Sequence, residues 1–142
     1  MVADLNSVAD LLQCRRIVVK VGSALLVEDG TPRAEWLGSL VADLVALREQ
    51  GSEIILVSSG AIALGASRLG LPSGGRANLA DAQASASVGQ VALAQLWAGA
   101  LSVHGLTAAQ MLVTLGDLED RRRYLNAAAT LERLVETGAV PV

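Results

Sequence analysis

The chain has 142 residues, 52% of them hydrophobic but only 2% aromatic, and its 11 Lys and Arg against 14 Asp and Glu give a formal charge of -3. That length suits one domain burying roughly two thirds of its unfolded surface, and the absence of a basic run or of base-stacking rings argues against nucleic acid and charged membrane surfaces as partners. The single Cys14 excludes an internal disulfide framework, and Met1 to Gln13 carry charges without the apolar core of a signal peptide, so a cytoplasmic, soluble protein is expected.

Along the chain, a short helical lead at Leu5 to Leu12 precedes a first strand at Arg16 to Lys20. Gly22-Ser23 turns the chain, and a polar loop runs through Glu28-Asp29-Gly30. Thr31-Pro32 reads as an N-cap with proline in the first turn of a helix whose apolar face is Leu37, Leu40, Val41, Leu44 and Leu47, and Gly51 closes it. A second strand, Glu53 to Val57, ends in Ser58-Ser59-Gly60, from which Ala61 to Leu64 begins a short helix. Leu71 to Arg76 is a loop of low apolar content, of the kind that covers ligands on such scaffolds.

A long Ala-rich helix from Leu79 to about His104 ends at Gly105, and its apolar stretch is interrupted by Gln90, Gln95 and Gly99, short of the ~20 consecutive apolar residues of a membrane span. Thr107 to Thr114 is a third candidate strand and Asp117 to Asp120 a capping turn. Arg121 to Thr137 reads as a helix with Leu125, Ala128, Leu131, Leu134 and Val135 inward, stopped by Gly138. Ala139-Val140-Pro141-Val142 begins a fourth apolar run. A strand broken there would lack its second half, so the chain is expected to be the front part of a longer domain.

Aliphatic strands between Ala- and Leu-rich helices predict an α/β fold with a doubly covered parallel sheet. Ligands of such sheets bind outside the carboxyl ends of the strands, so the turns at Gly22-Ser23 and Ser59-Gly60 should face one crevice. Glycine lets backbone N–H groups approach an anion, a helix after the turn adds its positive dipole end, and Lys20 adds a mobile cation. A lysine at a strand end otherwise snorkels into water, and either turn alone is an ordinary one; the signal is their pairing in consecutive units. Neither a Walker-type Gly-x-x-x-x-Gly-Lys-Ser/Thr nor a Gly-x-Gly-x-x-Gly occurs, which disfavours the P-loop and dinucleotide schemes.

The other reactive side chains have plainer readings. His104 suits a helix carboxyl end, and Cys14 lacks a partner for catalysis. Asp117, Glu119 and Asp120 suit helix capping better than magnesium, and no residue is assigned to a metal. Arg121-Arg122-Arg123 reads as a solvated face that could touch another subunit.

Val18-Val19-Lys20-Val21-Gly22-Ser23, Val57 to Gly65, Val88-Gly89-Gln90, Gln110-Met111-Leu112 and Asp120-Arg121-x-x-Tyr124-Leu125-Asn126-Ala127 resemble the amino acid kinase family over nearly the whole chain. Within it they resemble the branch that phosphorylates the γ-carboxylate of glutamate for proline biosynthesis. Ser58-Ser59-Gly60-Ala61-Ile62-Ala63 is the most specific segment; relatives acting on acetylglutamate or carbamate tend to carry a His-Gly turn there. Ala82 stands where the family commonly has lysine, and no role is carried over to it.

The resemblance implies a three-layer αβα sandwich with an open, mainly parallel sheet, of which residues 1–142 are the amino-terminal portion of a single domain. It implies that Lys20 is catalytic and binds ATP phosphates with Gly22 and Ser23, and that Ser59 contacts the amino acid, with Gly60 completing the backbone cradle. ATP, Mg²⁺ and L-glutamate follow, as do proline feedback, a homo-oligomer and a reductase that takes up L-glutamyl 5-phosphate, with no nucleic acid or membrane partner. An acidic Asn-Glu-Asn-Asp turn, the nucleotide-base site and a second lysine are implied beyond Val142, so the chain alone is expected to be inactive. Two alternatives stay open: a family member acting on aspartate, acetylglutamate or uridylate, and a non-catalytic piece.

Overall fold

The computed structural model describes residues 7–142, so the Leu5 end of the lead lies outside the described residues. One helical turn, α1 (Val8–Leu11), leads into β1 (Arg16–Val21). Next come the single turn α2 (Ser23–Leu26), the two-residue strands β2 (Val27–Glu28) and β3 (Thr31–Pro32), α3 (Ala34–Glu49) and β4 (Glu53–Ser58). The second half holds α4 (Ala61–Leu69), a 3-10 turn at Ser73–Gly75, α5 (Leu79–Ser102), β5 (Ala108–Ala109), α6 (Leu115–Glu119), α7 (Arg121–Glu136) and β6 (Val140–Pro141).

The fold is α/β with short, open parallel sheets. β1 and β4 pair in parallel from Arg16 opposite Glu53 to Val21 opposite Ser58, with α3 as the crossover. β5 and β6 form a second parallel pair, and β6 comes beside β4. Because side chains alternate across a pleated strand, Ile17, Val19 and Val21 share one face with Ile54, Leu56 and Ser58. That face carries the core: Ile17, Val21, Ile54 and Leu56 join Leu37, Val41 and Leu44 of α3 and Leu93, Trp97 and Leu101 of α5. Three of the five residues expected on the inner face of α3 are buried, and Leu40 and Leu47 are half-buried.

The other face is covered mainly at its base. Arg16 projects there, bonds Glu53 at 2.8 Å and grips Glu132 of α7 through both terminal nitrogens at 2.8 and 3.0 Å. Towards the carboxyl ends of the strands the same face is open, with Val18 60% and Val57 49% exposed. The inward face expected for α7 therefore holds only in its second half: Val135 is buried and Leu131 and Leu134 half-buried, whereas Leu125 and Ala128 are exposed. No neighbour among the described residues buries these two positions.

Two more expectations change. Thr31-Pro32 is no N-cap; it pairs antiparallel with Val27-Glu28, and the helix starts at Ala34 behind Arg33. Asp29 and Gly30 both have positive φ, 50° and 74°, the geometry of a two-residue hairpin turn that Asp-Gly favours. The third strand is only Ala108–Ala109, although the amide of Met111 still reaches the carbonyl of Val142 at 2.9 Å.

α4 and α5 cross with their backbones touching. A Cβ on Gly65 would overlap the carbonyl oxygen of Ser85, and one on Gly89 would overlap that of Ala61. Gly89 belongs to the Val88-Gly89-Gln90 segment and Ala61 opens the helix after Ser59-Gly60. Two segments distant in sequence are thus one packing unit, and α5 seats the second turn.

Candidate functional site

The two glycine turns lie side by side. The amide of Ser59 donates to the carbonyl oxygen of Val21 at 2.9 Å, continuing the β1–β4 pairing into the turns. Gly22, at φ -74° and ψ 155°, has extended backbone that any residue could adopt, and a Cβ placed on it would meet nothing within 4 Å. Neither conformation nor a neighbour among the described residues requires glycine there. Gly60 is different: it is buried at φ 120°, and an added Cβ would sit 3.4 Å from Val27 and 3.5 Å from Leu26.

The helix dipole enters at the second turn more than at the first. α2 is a single turn of four residues behind Gly22, too short to sum much of a dipole, whereas α4 runs nine residues from Gly60. No side chain caps α4, so its first amides are available to an anion at the mouth of the turn.

Lys20 lies inside β1, one residue before its end, and not in the turn itself. It is exposed on the open face, beside Val57 across the pair, and makes no hydrogen bond or ion pair among the described residues. Ser59 is exposed and its hydroxyl has no partner among the described residues, in contrast to Ser58. The Ser58 hydroxyl accepts the indole N–H of Trp97 at 2.8 Å and donates to the carbonyl oxygen of Ser59 at 3.1 Å. The sequence reading passed over this contact; the signal was a lone Trp within an Ala-rich core helix, whose N–H must find an acceptor once buried.

Beside the turns, a cavity of about 410 Å³ opens between the second half of β4, α5 and residues 108–113. Its wall is largely apolar, with Ser58, Gln90 and Gln110 as polar points, and Trp97 at its back. Gln90 and Gln110, far apart in sequence, meet here; Lys20, Gly22, Ser23, Ser59 and Gly60 do not line it.

Two of the three acidic residues of 117–120, Asp117 and Asp120, are engaged as caps. Asp117 accepts from the Thr114 amide at 2.8 Å and its hydroxyl at 2.7 Å, and these bonds, aided by Arg123, hold its carboxyl below the usual range. Asp120 accepts from the Arg123 amide at 2.9 Å at the start of α7. Among the described residues no group of three or more His, Cys, Asp and Glu could hold a metal ion. The half-buried Cys14 donates to the Asp10 carbonyl at 3.4 Å. His104, just past α5, makes no side-chain bond among the described residues.

The sequence profile of the amino acid kinase family matches residues 15–142. A glutamate 5-kinase of Novosphingobium aromaticivorans is 63% identical over 142 residues, covering 97% of this chain and 38% of the relative. One of Sphingopyxis alaskensis is 62% identical, covering 91% of this chain and 35% of the relative, and one of Zymomonas mobilis is 58% identical, covering 91% and 33%. The chain thus spans about a third of the length of these relatives.

Proposed function

The chain belongs to the amino acid kinase family, and from that membership we propose that it supplies part of the kinase domain of an enzyme that phosphorylates the γ-carboxylate of L-glutamate with ATP. The product is L-glutamyl 5-phosphate, at the first step of proline biosynthesis. The observation that carries this reading is the 63% identity to a glutamate 5-kinase across 97% of the chain. In our reading residues 1–142 are an amino-terminal portion of one domain, working in the cytoplasm as a homo-oligomer under proline feedback and handing its acyl phosphate to a reductase. Among the described residues no helix is long and apolar enough to cross a membrane.

The two turns divide the work. A glutamate carboxylate is already ionised near neutral pH, so it needs no general base; the obstacle is its repulsion from the triphosphate. Lys20, exposed and unpaired among the described residues, places its charge on the moving phosphoryl group. Gly22 and Ser23 bring backbone close to the phosphates. Ser59 offers its hydroxyl to glutamate, and Gly60 starts the helix whose first amides face the developing negative charge. Preorganised donors of this kind are each worth ~3 to 4 kcal/mol of barrier. Mg²⁺ bound with ATP would offset part of the same phosphate charge.

The test is a graft. This chain replaces the matched residues of the Novosphingobium enzyme, and ADP release is followed with glutamate, aspartate, acetylglutamate and uridylate. Turnover dependent on glutamate supports the proposal; turnover only with another acceptor, or none, overturns it.

A further inference from the structure

We propose that Trp97 is a positioning residue for glutamate, acting through Ser58 on the Ser59 peptide. The inference rests on the reading of Ser59 as the glutamate contact. Trp97 is fully buried, and its indole has one polar atom, Nε1, which donates to the Ser58 hydroxyl at 2.8 Å. A serine hydroxyl has one proton to give. With its oxygen accepting from Trp97, that proton goes to the carbonyl oxygen of Ser59 at 3.1 Å. The relay therefore runs in one direction, from Trp97 to Ser58 to the Ser59 carbonyl, and fixes the peptide that joins Ser59 to Gly60.

Three features make this more than core packing. The amide of Ser59, in the preceding peptide, is already bonded to Val21, so the relay completes a clamp on both peptides that flank this residue. Its neighbour Gly60 has φ 120°, a geometry that favours glycine, so the peptide fixed by the relay leads directly into the special conformation of the turn. Trp97 and Ser58 also both line the cavity beside the turn, where an unpaired indole N–H would face a mostly apolar wall. The relay links the α5 core to the turn that presents the free Ser59 hydroxyl.

The test uses the grafted enzyme, whose unsubstituted form first establishes the glutamate dependence. Trp97→Phe keeps most of the ring volume and deletes the N–H; Ser58→Ala deletes the acceptor; Ser58→Thr keeps the hydroxyl. Trp97→Phe and Ser58→Ala should each raise the KM for glutamate about three- to tenfold, the range of one lost hydrogen bond, with the KM for ATP unchanged. The double variant should be no worse than the more affected single one, and Ser58→Thr should retain the parent KM. An unchanged glutamate KM, an effect on ATP instead, or fully additive losses overturn the relay. Should Trp97→Phe not fold by circular dichroism, Ser58→Ala against Ser58→Thr decides alone: equal glutamate KM values overturn the proposal. A parent graft without glutamate-dependent turnover instead fails the proposed function, and the relay falls with it before any variant is compared.

Discussion

The amide of Ser59 donates to the carbonyl oxygen of Val21 at 2.9 Å, one step beyond the last paired residues of β1 and β4. Through that bond the turn after the first strand and the turn after the second become a single rim. A phosphate held at Gly22 and an amino acid held at Ser59 would then be neighbours without any other segment arranging them.

The seat of the second turn depends on Gly89. A Cβ there would overlap the carbonyl oxygen of Ala61, which is backbone and cannot swing aside. Gly89→Ala should destabilise the grafted enzyme by about 1 to 3 kcal/mol or more. Gly99, exposed on the same helix with nothing within 4 Å of an added Cβ, is the control. Gly99→Ala should stabilise by about 0.5 to 1 kcal/mol. Urea midpoints of the two variants check both signs; equal shifts would refute the close helix contact.

The Arg16 bridge to Glu132 should make α7 sensitive to acid. Hydrogen bonds from Arg16 hold the Glu132 carboxyl below its ordinary value of 4.5. A depressed carboxylate contributes stability that is present above the unfolded-state value and lost as pH falls through the folded one, so the contribution should begin to fall near pH 4.5 and be lost as pH drops through the lower folded value. Glu132→Gln should lower the thermal midpoint at pH 7, and its difference from the parent should shrink as pH falls below about 4.5. A constant difference across that range would show that the ion pair contributes nothing through its charge.

The 142-residue chain by itself should show no glutamate-dependent ATP hydrolysis and should self-associate. Val18, Val57 and Leu112 are 60, 49 and 71% exposed, apolar surface of the kind that drives association. Light scattering alongside a hydrolysis assay checks this, and a dispersed monomer with glutamate kinase activity would contradict it.

Much of the fold was legible because its signals are local. Leu37, Val41 and Leu44 repeat at helical spacing and are buried; the runs at Arg16 and Glu53 are continuous and apolar, and they pair. Thr31-Pro32 misled because the same two residues suit a helix start and a strand end. The Asp29-Gly30 pair before them was the deciding hairpin signal. Leu125 misled for another reason: helical periodicity names the apolar face but not whether a neighbour reaches it, and on α7 the buried Val135 and half-buried Leu131 and Leu134 all lie in the second half. At the site, the glycine turns could be read from the sequence, whereas the Trp97 to Ser58 bond spans 39 residues and depends on how α5 crosses β4. No local pattern encodes that.

Lys20→Arg separates a point charge from a planar fork. A guanidinium spreads its charge over a rigid planar fork, whereas an ammonium is a compact point charge. The grafted Lys20→Arg enzyme should therefore lose turnover to an extent similar to Lys20→Ala, as read by kcat at saturating ATP and glutamate. Near-parent turnover would reduce the role of Lys20 to general positive charge.

The division of labour between the two turns is tested most directly by comparing Lys20→Ala and Ser59→Ala in the grafted enzyme, with kcat and both KM values measured for each. Lys20→Ala should lower kcat by about a hundredfold or more while the glutamate KM barely moves, because its charge acts on the moving phosphoryl group. Ser59→Ala should keep kcat and raise the glutamate KM about two- to twelvefold, since its hydroxyl binds substrate and transition state alike. A Lys20→Ala enzyme with parent kcat and a raised glutamate KM, or a Ser59→Ala enzyme altered only towards ATP, would contradict the assignment of the two turns.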